Sequence, residues 1–279
     1  MKLDQLPSLR DDLAAHGLLA KKSFGQHFLL DLNITRKIAR LADVAEGDVV
    51  VEVGPGPGGL TRALLEAGAL VVCVEKDRRF IPLLEELAAA ADGRLTVVEA
   101  DALQSDDIAL ASARGSGAPV RIVSNLPYNV SVPLLLKWLR MGPALTSMTL
   151  MFQKEVADRI CAAPDTPDYG RLSVIAQACA QAEVVMALPA RAFTPPPKVA
   201  SAVVHLTPLA DAPSPSLLST LEKVTQAAFG QRRKMLRSSL RTLGGEELCE
   251  RAGIDASLRA EAVPVDGFLR LAALVEAST

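Results

Sequence analysis

Paired cysteines are missing from this sequence. The four that occur, Cys73, Cys161, Cys179 and Cys249, are scattered without a C-x-x-C pair, so neither a zinc site nor a disulfide framework is suggested, and a reducing setting is expected. A long apolar run is missing too. The N-terminus, MKLDQLPSLRDDLAAHG, is broken by charge every few residues, and no later window stays apolar long enough to span a bilayer. The expectation is a cytoplasmic protein with no membrane partner and no metal. Nor is positive charge in excess. Thirty basic against 32 acidic side chains leave a net charge of −2, which argues against coating nucleic acid through overall charge. Any contact with RNA must be local, and one segment qualifies: AFGQRRKMLRSSLRT, residues 228–242, holds Arg232, Arg233, Lys234, Arg237 and Arg241 with no acid.

What is present is enough apolar side chain, 49% of 279 residues, for one large domain or one large and one small. From Asp48 the chain reads DVVVEV, a glycine-proline turn, LTRALLEAG and ALVVCVE, which predicts strand, loop, helix and strand. Its strands barely alternate, as expected where helices cover both faces of a parallel sheet. Further strands are predicted at 95–99, 120–124 and 147–152, with helical stretches at 78–91 and 131–140. Past residue 180 the alternation changes. EVVMALP (183–189) and ASAVVHLTP (200–208) are joined by a proline-rich connection, which predicts an antiparallel pair at the end of the sheet. After the linker TPLADAPSPS the pattern is helical. The predicted fold is α/β: an open Rossmann-like sheet over 1–209, then a small all-helical domain over 210–279.

The first strand ends in VEVGPGPGGLT (Val51 to Thr61), where glycines let backbone approach a ligand at a helix N-terminus. Gly54, Gly56 and Gly59 fit G-x-G-x-x-G, and Glu75 follows Gly54 where an acid can take ribose hydroxyls. At this point a dinucleotide and S-adenosylmethionine both remain open, and a purely structural turn has the same glycines. Asp101, in VVEADAL, is a second acid at a strand's carboxyl end, suited to an adenine amino group or simply to capping a turn.

VSNLPY (Val123 to Tyr128) ends the fourth predicted strand. Asn125 Oδ1 and the Pro127 carbonyl can accept from the two N–H groups of an aromatic amine, with Leu126 between them. Tyr128 can stack on the base, and Phe193 is the candidate second ring; stacking contributes ~1–3 kcal/mol per base. The competing account is an ordinary turn, with asparagine and proline in turn roles and tyrosine closing the core.

These motifs, together with KKSFGQHFL (Lys21 to Leu29), YGRLS from Tyr169, FTPPPKV (Phe193 to Val199) and FGQRRKMLR (Phe229 to Arg237), resemble the ribosomal RNA adenine N6,N6-dimethyltransferase family, in particular its small-subunit branch. The resemblance implies a Rossmann-like S-adenosylmethionine-dependent enzyme. It implies a cofactor site at His27, Leu29, Gly54, Glu75, Asp101 and Asn125, and a target of two adjacent adenosines in the terminal hairpin of 16S rRNA within an immature small ribosomal subunit. FTPPPKV is then expected to line the target-base pocket, and the enzyme to act as a monomer. Many relatives carry asparagine where this chain has His27. Arg233, Arg237 and Arg241, spaced by four, are expected to share one helical face that binds phosphate or is merely solvated. Rival readings are a DNA adenine or large-subunit rRNA methyltransferase, a ribosome-assembly protein that relies little on catalysis, and an NAD-dependent oxidoreductase; the last lacks an obvious hydride-transfer acid/base.

Overall fold

A computed structural model describes residues 6–18, 27–115, 117, 120–231 and 233–278. Lys21 to Gln26 of KKSFGQHFL, and Arg232, lie outside the described residues.

Two short helices, α1 (Leu9–Ala15) and α2 (Leu32–Leu41), precede β1 (Val49–Val53), α3 (Gly59–Glu66), β2 (Leu70–Glu75), α4 (Ile81–Ala89) and β3 (Leu95–Glu99). The chain continues through α5 (Asp107–Ser112), β4 (Val120–Asn125), α6 (Ser131–Leu139), β5 (Ser147–Gln153), α7 (Lys154–Cys161) and α8 (Arg171–Cys179). The pair β6 (Ala180–Leu188) and β7 (Ser201–Pro208) follows, then α9 (Pro215–Phe229), α10 (Leu236–Ser239), α11 (Gly245–Arg251) and α12 (Val265–Glu276). Among the described residues no helix is long and apolar enough to cross a membrane.

All seven strands join one sheet in the order β3-β2-β1-β4-β5-β7-β6. Strands β3 to β5 pair in parallel, and β7 runs antiparallel to β5. The apolar runs explain the parallel half: every residue of β1 is buried, and only a strand covered on both faces has that composition. Order reverses between β1 and β4. Their carboxyl ends therefore flank the topological switch point where open α/β sheets hold ligands, and the two ends are the glycine turn and NLPY. Leu60, Leu64, Val50, Val71, Val123 and Val203 belong to the apolar core around this sheet.

By compactness the chain falls into two units, residues 1–137, 144–157 and 184–207, and residues 138–143, 158–183 and 208–279. A single cut near 210 therefore does not divide the chain. The helical unit also draws on α8, which packs with α9 and α12. Within that unit Tyr169 donates to the Val263 carbonyl at 2.9 Å, and Phe229 stacks on Phe268. YGRLS thus serves the helical core: its tyrosine is fully buried there.

The expected helical face of Arg233, Arg237 and Arg241 is not formed. Helix α9 stops at Phe229, residues 235–237 turn to pair with another segment, and α10 has only four residues. Met235 bridges Arg259, Leu236 N–H donates to Leu258, and Arg237 N–H donates to Ala256. Backbone donors spent on a distant segment cannot continue a helix. Burial of Leu236 and Leu240 fixes the turn instead, leaving Arg233, Lys234, Arg237 and Arg241 exposed. None of these four has an acidic side chain within ion-pair distance among the described residues.

Candidate active site

A cavity of about 590 Å³ opens at the switch point. His27, Phe28 and Leu29 line it, as do the turn Gly54–Pro57, Glu75, the stretch Asn125–Asn129, and Phe193. Volumes of this order hold small-molecule ligands. Of the cofactor and base residues predicted by number, all but Asp101 line this one space, whereas of the FTPPPKV segment only Phe193 does.

The glycine turn follows from β1 ending against α3. Gly56 has φ 53°, in the left-handed region, and a Cβ there would stand 3.3 Å from the Phe28 ring. At Gly59 the constraint is contact: an added Cβ would lie 2.6 Å from the Leu29 carbonyl oxygen, too close for any side chain. The turn is thus packed against the 28–29 segment on one side. Pro127 approaches Gly54 on the other, at 3.4 Å from where a Cβ would be.

Two acids sit beneath the turn. Glu75 is buried, with Oε2 accepting from Gly56 N–H at 3.1 Å and Oε1 from Asp77 N–H at 2.7 Å. Burial raises its pKa above the ordinary value, and the Asp77 and Gly56 N–H groups partly offset that. Glu52, which the sequence reading passed over, also lines the cavity and is 1% exposed. Thr61 Oγ1 donates to its Oε2 at 2.6 Å, and the Cys73 thiol lies 3.6 Å from the same oxygen. Desolvation raises its pKa to about 7, with the Thr61 and Cys73 hydrogen bonds pulling the other way. The signal for Glu52 was available: an acid between valines in a fully buried strand needs a reason to be there.

That pKa has a sign in stability. Between pH 4.5, the ordinary glutamate value, and about 7, the folded protein holds more protons at Glu52 than the unfolded chain does. Its contribution is complete below that window and is lost as pH rises through it. Thermal midpoints measured across this range should fall less steeply in Glu52→Gln than in the native protein. Glu75 shares the direction but is present in both, so parallel curves would refute the assignment to Glu52.

Asp101 behaves as a turn residue: Lys76 Nζ lies 2.8 Å from Oδ2, and Leu103 N–H donates to Oδ1. Both contacts hold its carboxyl below the ordinary range, the Lys76 bond most. It stands beside the cavity through Lys76, which does line it. Asn125, by contrast, has no side-chain hydrogen-bond partner among the described residues, so its amide is available to a ligand. The Pro127 carbonyl accepts from Val130 N–H at 3.1 Å, and its second lone pair remains for another donor. Tyr128 OH and Ser201 Oγ are 2.7 Å apart, and Phe193 is buried and lines the cavity. No group of three or more metal-ligating side chains occurs among the described residues.

A family model described as ribosomal RNA adenine dimethylase matches residues 17–277. The ribosomal RNA small subunit methyltransferase A of Phenylobacterium zucineum (strain HLK1) is 67% identical over 272 residues, covering 98% of this chain and 94% of the relative. Among solved structures, a dimethyladenosine transferase from Plasmodium falciparum gives a TM-score of 0.73 at 24% identity, over 88% of this chain and 96% of that one, a likeness of fold. The 23S rRNA methyltransferase ErmE gives 0.65 at 27% identity, over 88% of this chain and 98% of its own.

Proposed function

Because the chain belongs to the ribosomal RNA adenine dimethylase family, we propose that it uses S-adenosylmethionine to dimethylate N6 of two adjacent adenosines in the 3′-terminal hairpin of 16S rRNA. The observation that carries this reading is the convergence of Asn125, Pro127 and Tyr128 with the glycine turn and Glu75 on one cavity. The substrate is an immature small ribosomal subunit, met in the cytoplasm by a monomer.

The residues suit the cofactor. Glu75 offers two carboxylate oxygens to ribose hydroxyls, and the turn at Gly54 and Gly56 leaves room for close approach. Phe28, Leu60 and Phe80 supply apolar walls for an adenine ring. His27 and Leu29 line the same cavity, and Asp101 is one ion pair away through Lys76. When bound, S-adenosylmethionine supplies a methyl group already activated by its sulfonium, so no strong base is needed.

The protein's contribution is alignment and charge. Asn125 Oδ1 and the Pro127 carbonyl accept from the two N–H groups of the target amine, which draws its lone pair out of the ring and points it along one line. The same two oxygens stabilise the positive charge that develops on N6, and the proton then leaves to solvent. A monomethylated N6 keeps one N–H, enough for one of the two acceptors, so the site can act a second time. Tyr128 and Phe193 take the base between them and offset part of the cost of unstacking it.

The exposed cations of 233–241 are assigned to rRNA phosphates, Arg232 with them by sequence alone. Arg233→Glu with Arg237→Glu should weaken binding to small subunits by roughly tenfold or more at moderate salt and flatten the salt dependence. S-adenosylmethionine affinity should be unchanged by calorimetry; native-like subunit binding would remove these arginines from the interface. The function itself is tested by labelled methyl transfer to under-methylated small subunits and, in parallel, to large subunits. Label in the small subunit alone is expected, and label in the large subunit alone would overturn the proposal.

A further inference from the structure

The turn that carries Asp101 is fastened from outside by a lysine that belongs to neither the glycine turn nor NLPY. We infer that Lys137 is a positioning residue of the cofactor site, locking the 101–107 turn onto α6 and so fixing where Asp101 meets an adenine amino group. The inference rests on the proposed role of Asp101 in holding the adenine of S-adenosylmethionine.

Three observations carry it. First, Lys137 Nζ donates to the Ala102 carbonyl at 2.6 Å, to the Ser105 carbonyl at 2.6 Å and to Asp107 Oδ2 at 2.7 Å. An ammonium has three N–H bonds, and all of them go to this one turn. Second, the turn is closed from inside as well. The Gln104 and Ser105 N–H groups donate to the Asp101 carbonyl at 2.9 and 3.0 Å, and Ser105 Oγ donates to Asp107 Oδ1 at 2.6 Å. Asp107 is fully buried, and a carboxylate so placed needs a cation and further donors around it. Third, the helix that presents Lys137 grows out of the catalytic motif. Val130 N–H donates to the Pro127 carbonyl, Leu134 N–H to the Val130 carbonyl, and Ser131 Oγ to the Tyr128 carbonyl. Lys137 thus joins the stretch that holds the target amine to the turn that holds the cofactor.

Asp101 adjoins the cavity through Lys76, so a small shift of its turn decides whether the carboxylate meets a ligand. Its oxygens accept from Lys76 and from Leu103 N–H, and each keeps a lone pair for one more donor. Without the Lys137 bonds the Ala102 and Ser105 carbonyls turn to water, and a bound adenine has to order the turn itself. The ribose end, gripped by Glu75, and the amine acceptors of NLPY are untouched.

Two ligands separate the adenine end from the rest: S-adenosylhomocysteine, and its inosine counterpart, in which a carbonyl oxygen replaces the amino group. A carboxylate that accepts from the amine repels that oxygen, so the native protein should prefer the adenosine ligand by about tenfold or more. In Lys137→Met the calorimetric Kd of S-adenosylhomocysteine should rise about tenfold, while that of the inosine ligand changes by less than about threefold, which brings the preference near one. The kcat at saturating S-adenosylmethionine should stay within about threefold of native. Lys137→Arg keeps the charge and several donors and should recover most of the preference. Lys137→Met alone leaves the Asp107 charge beside an apolar chain, so Lys137→Met with Asp107→Asn is the companion variant: it removes the charge, keeps an acceptor for Ser105, and should lose the preference in the same way. A role in stability alone weakens both ligands equally; a native preference retained in both Met-bearing variants overturns the inference, as does native affinity for both ligands. Should the native protein itself bind the two ligands alike, Asp101 does not read the amine, and its proposed role falls together with this inference.

Discussion

Asn125→Ala should reduce kcat for methyl transfer by about 10²–10³, the size of effect expected when one preorganised group facing a developing charge is removed. The side chain stands at the end of β4, on the cavity, with its amide committed to no other residue among those described. Truncation therefore breaks no internal hydrogen bond, and the fold has no reason to suffer. The main chain of Asn125 stays in the β4–β5 ladder opposite Met151, so the rest of NLPY keeps its place. S-adenosylmethionine Kd should change by less than about tenfold, since Glu75 and the glycine turn remain. A kcat within about tenfold of native would show that the N6 hydrogens are held elsewhere.

Glu75→Ala should instead act on the cofactor, raising its Kd by about 100-fold or more, because hydrogen bonds to a charged group are among the strong ones. The buried carboxylate is costly to keep ionised, as its raised pKa indicates. Two ligand hydroxyls donating to it would offset that cost and favour the ionised form. Glu75→Gln retains one acceptor oxygen for the Gly56 or Asp77 N–H group, so it should be intermediate in affinity and nearer native in stability. Calorimetry of both variants makes the comparison. A Kd within about threefold of native in Glu75→Ala would place the ribose away from this acid.

The parts of this site legible in the sequence are those fixed by local chain chemistry. Runs such as VVVEV and LVVCVE have only one comfortable home, a strand covered on both faces, and the turns that follow must then lie at the carboxyl edge. Glycines at 54, 56 and 59 and the NLPY run were readable for the same reason. What was not legible depends on partners distant in sequence. A spacing of four predicts a helical face for Arg233, Arg237 and Arg241, but the backbone of 235–237 pairs with 256–259, and no local pattern announces that. Asp101 could be read either as a ligand acceptor or as a turn residue, and nothing local announced that Lys76 would pair with one of its oxygens while the Leu103 N–H donates to the other. The helical unit reaches back to 158–183 because Tyr169 finds its acceptor at Val263. Glu52 was visible as a residue yet hidden as a function, since the strand pattern around it is satisfied without asking where its carboxyl points.

The most direct test is to incubate the purified protein with S-adenosylmethionine and under-methylated small ribosomal subunits, then quantify methylated nucleosides by mass spectrometry. N6,N6-Dimethyladenosine should accumulate to about two per subunit, map to the terminal hairpin, and form about 10²–10³ times more slowly with Asn125→Ala. Subunits and cofactor that both bind while no dimethyladenosine forms would contradict the account and leave a protein that accompanies ribosome assembly without modifying the RNA.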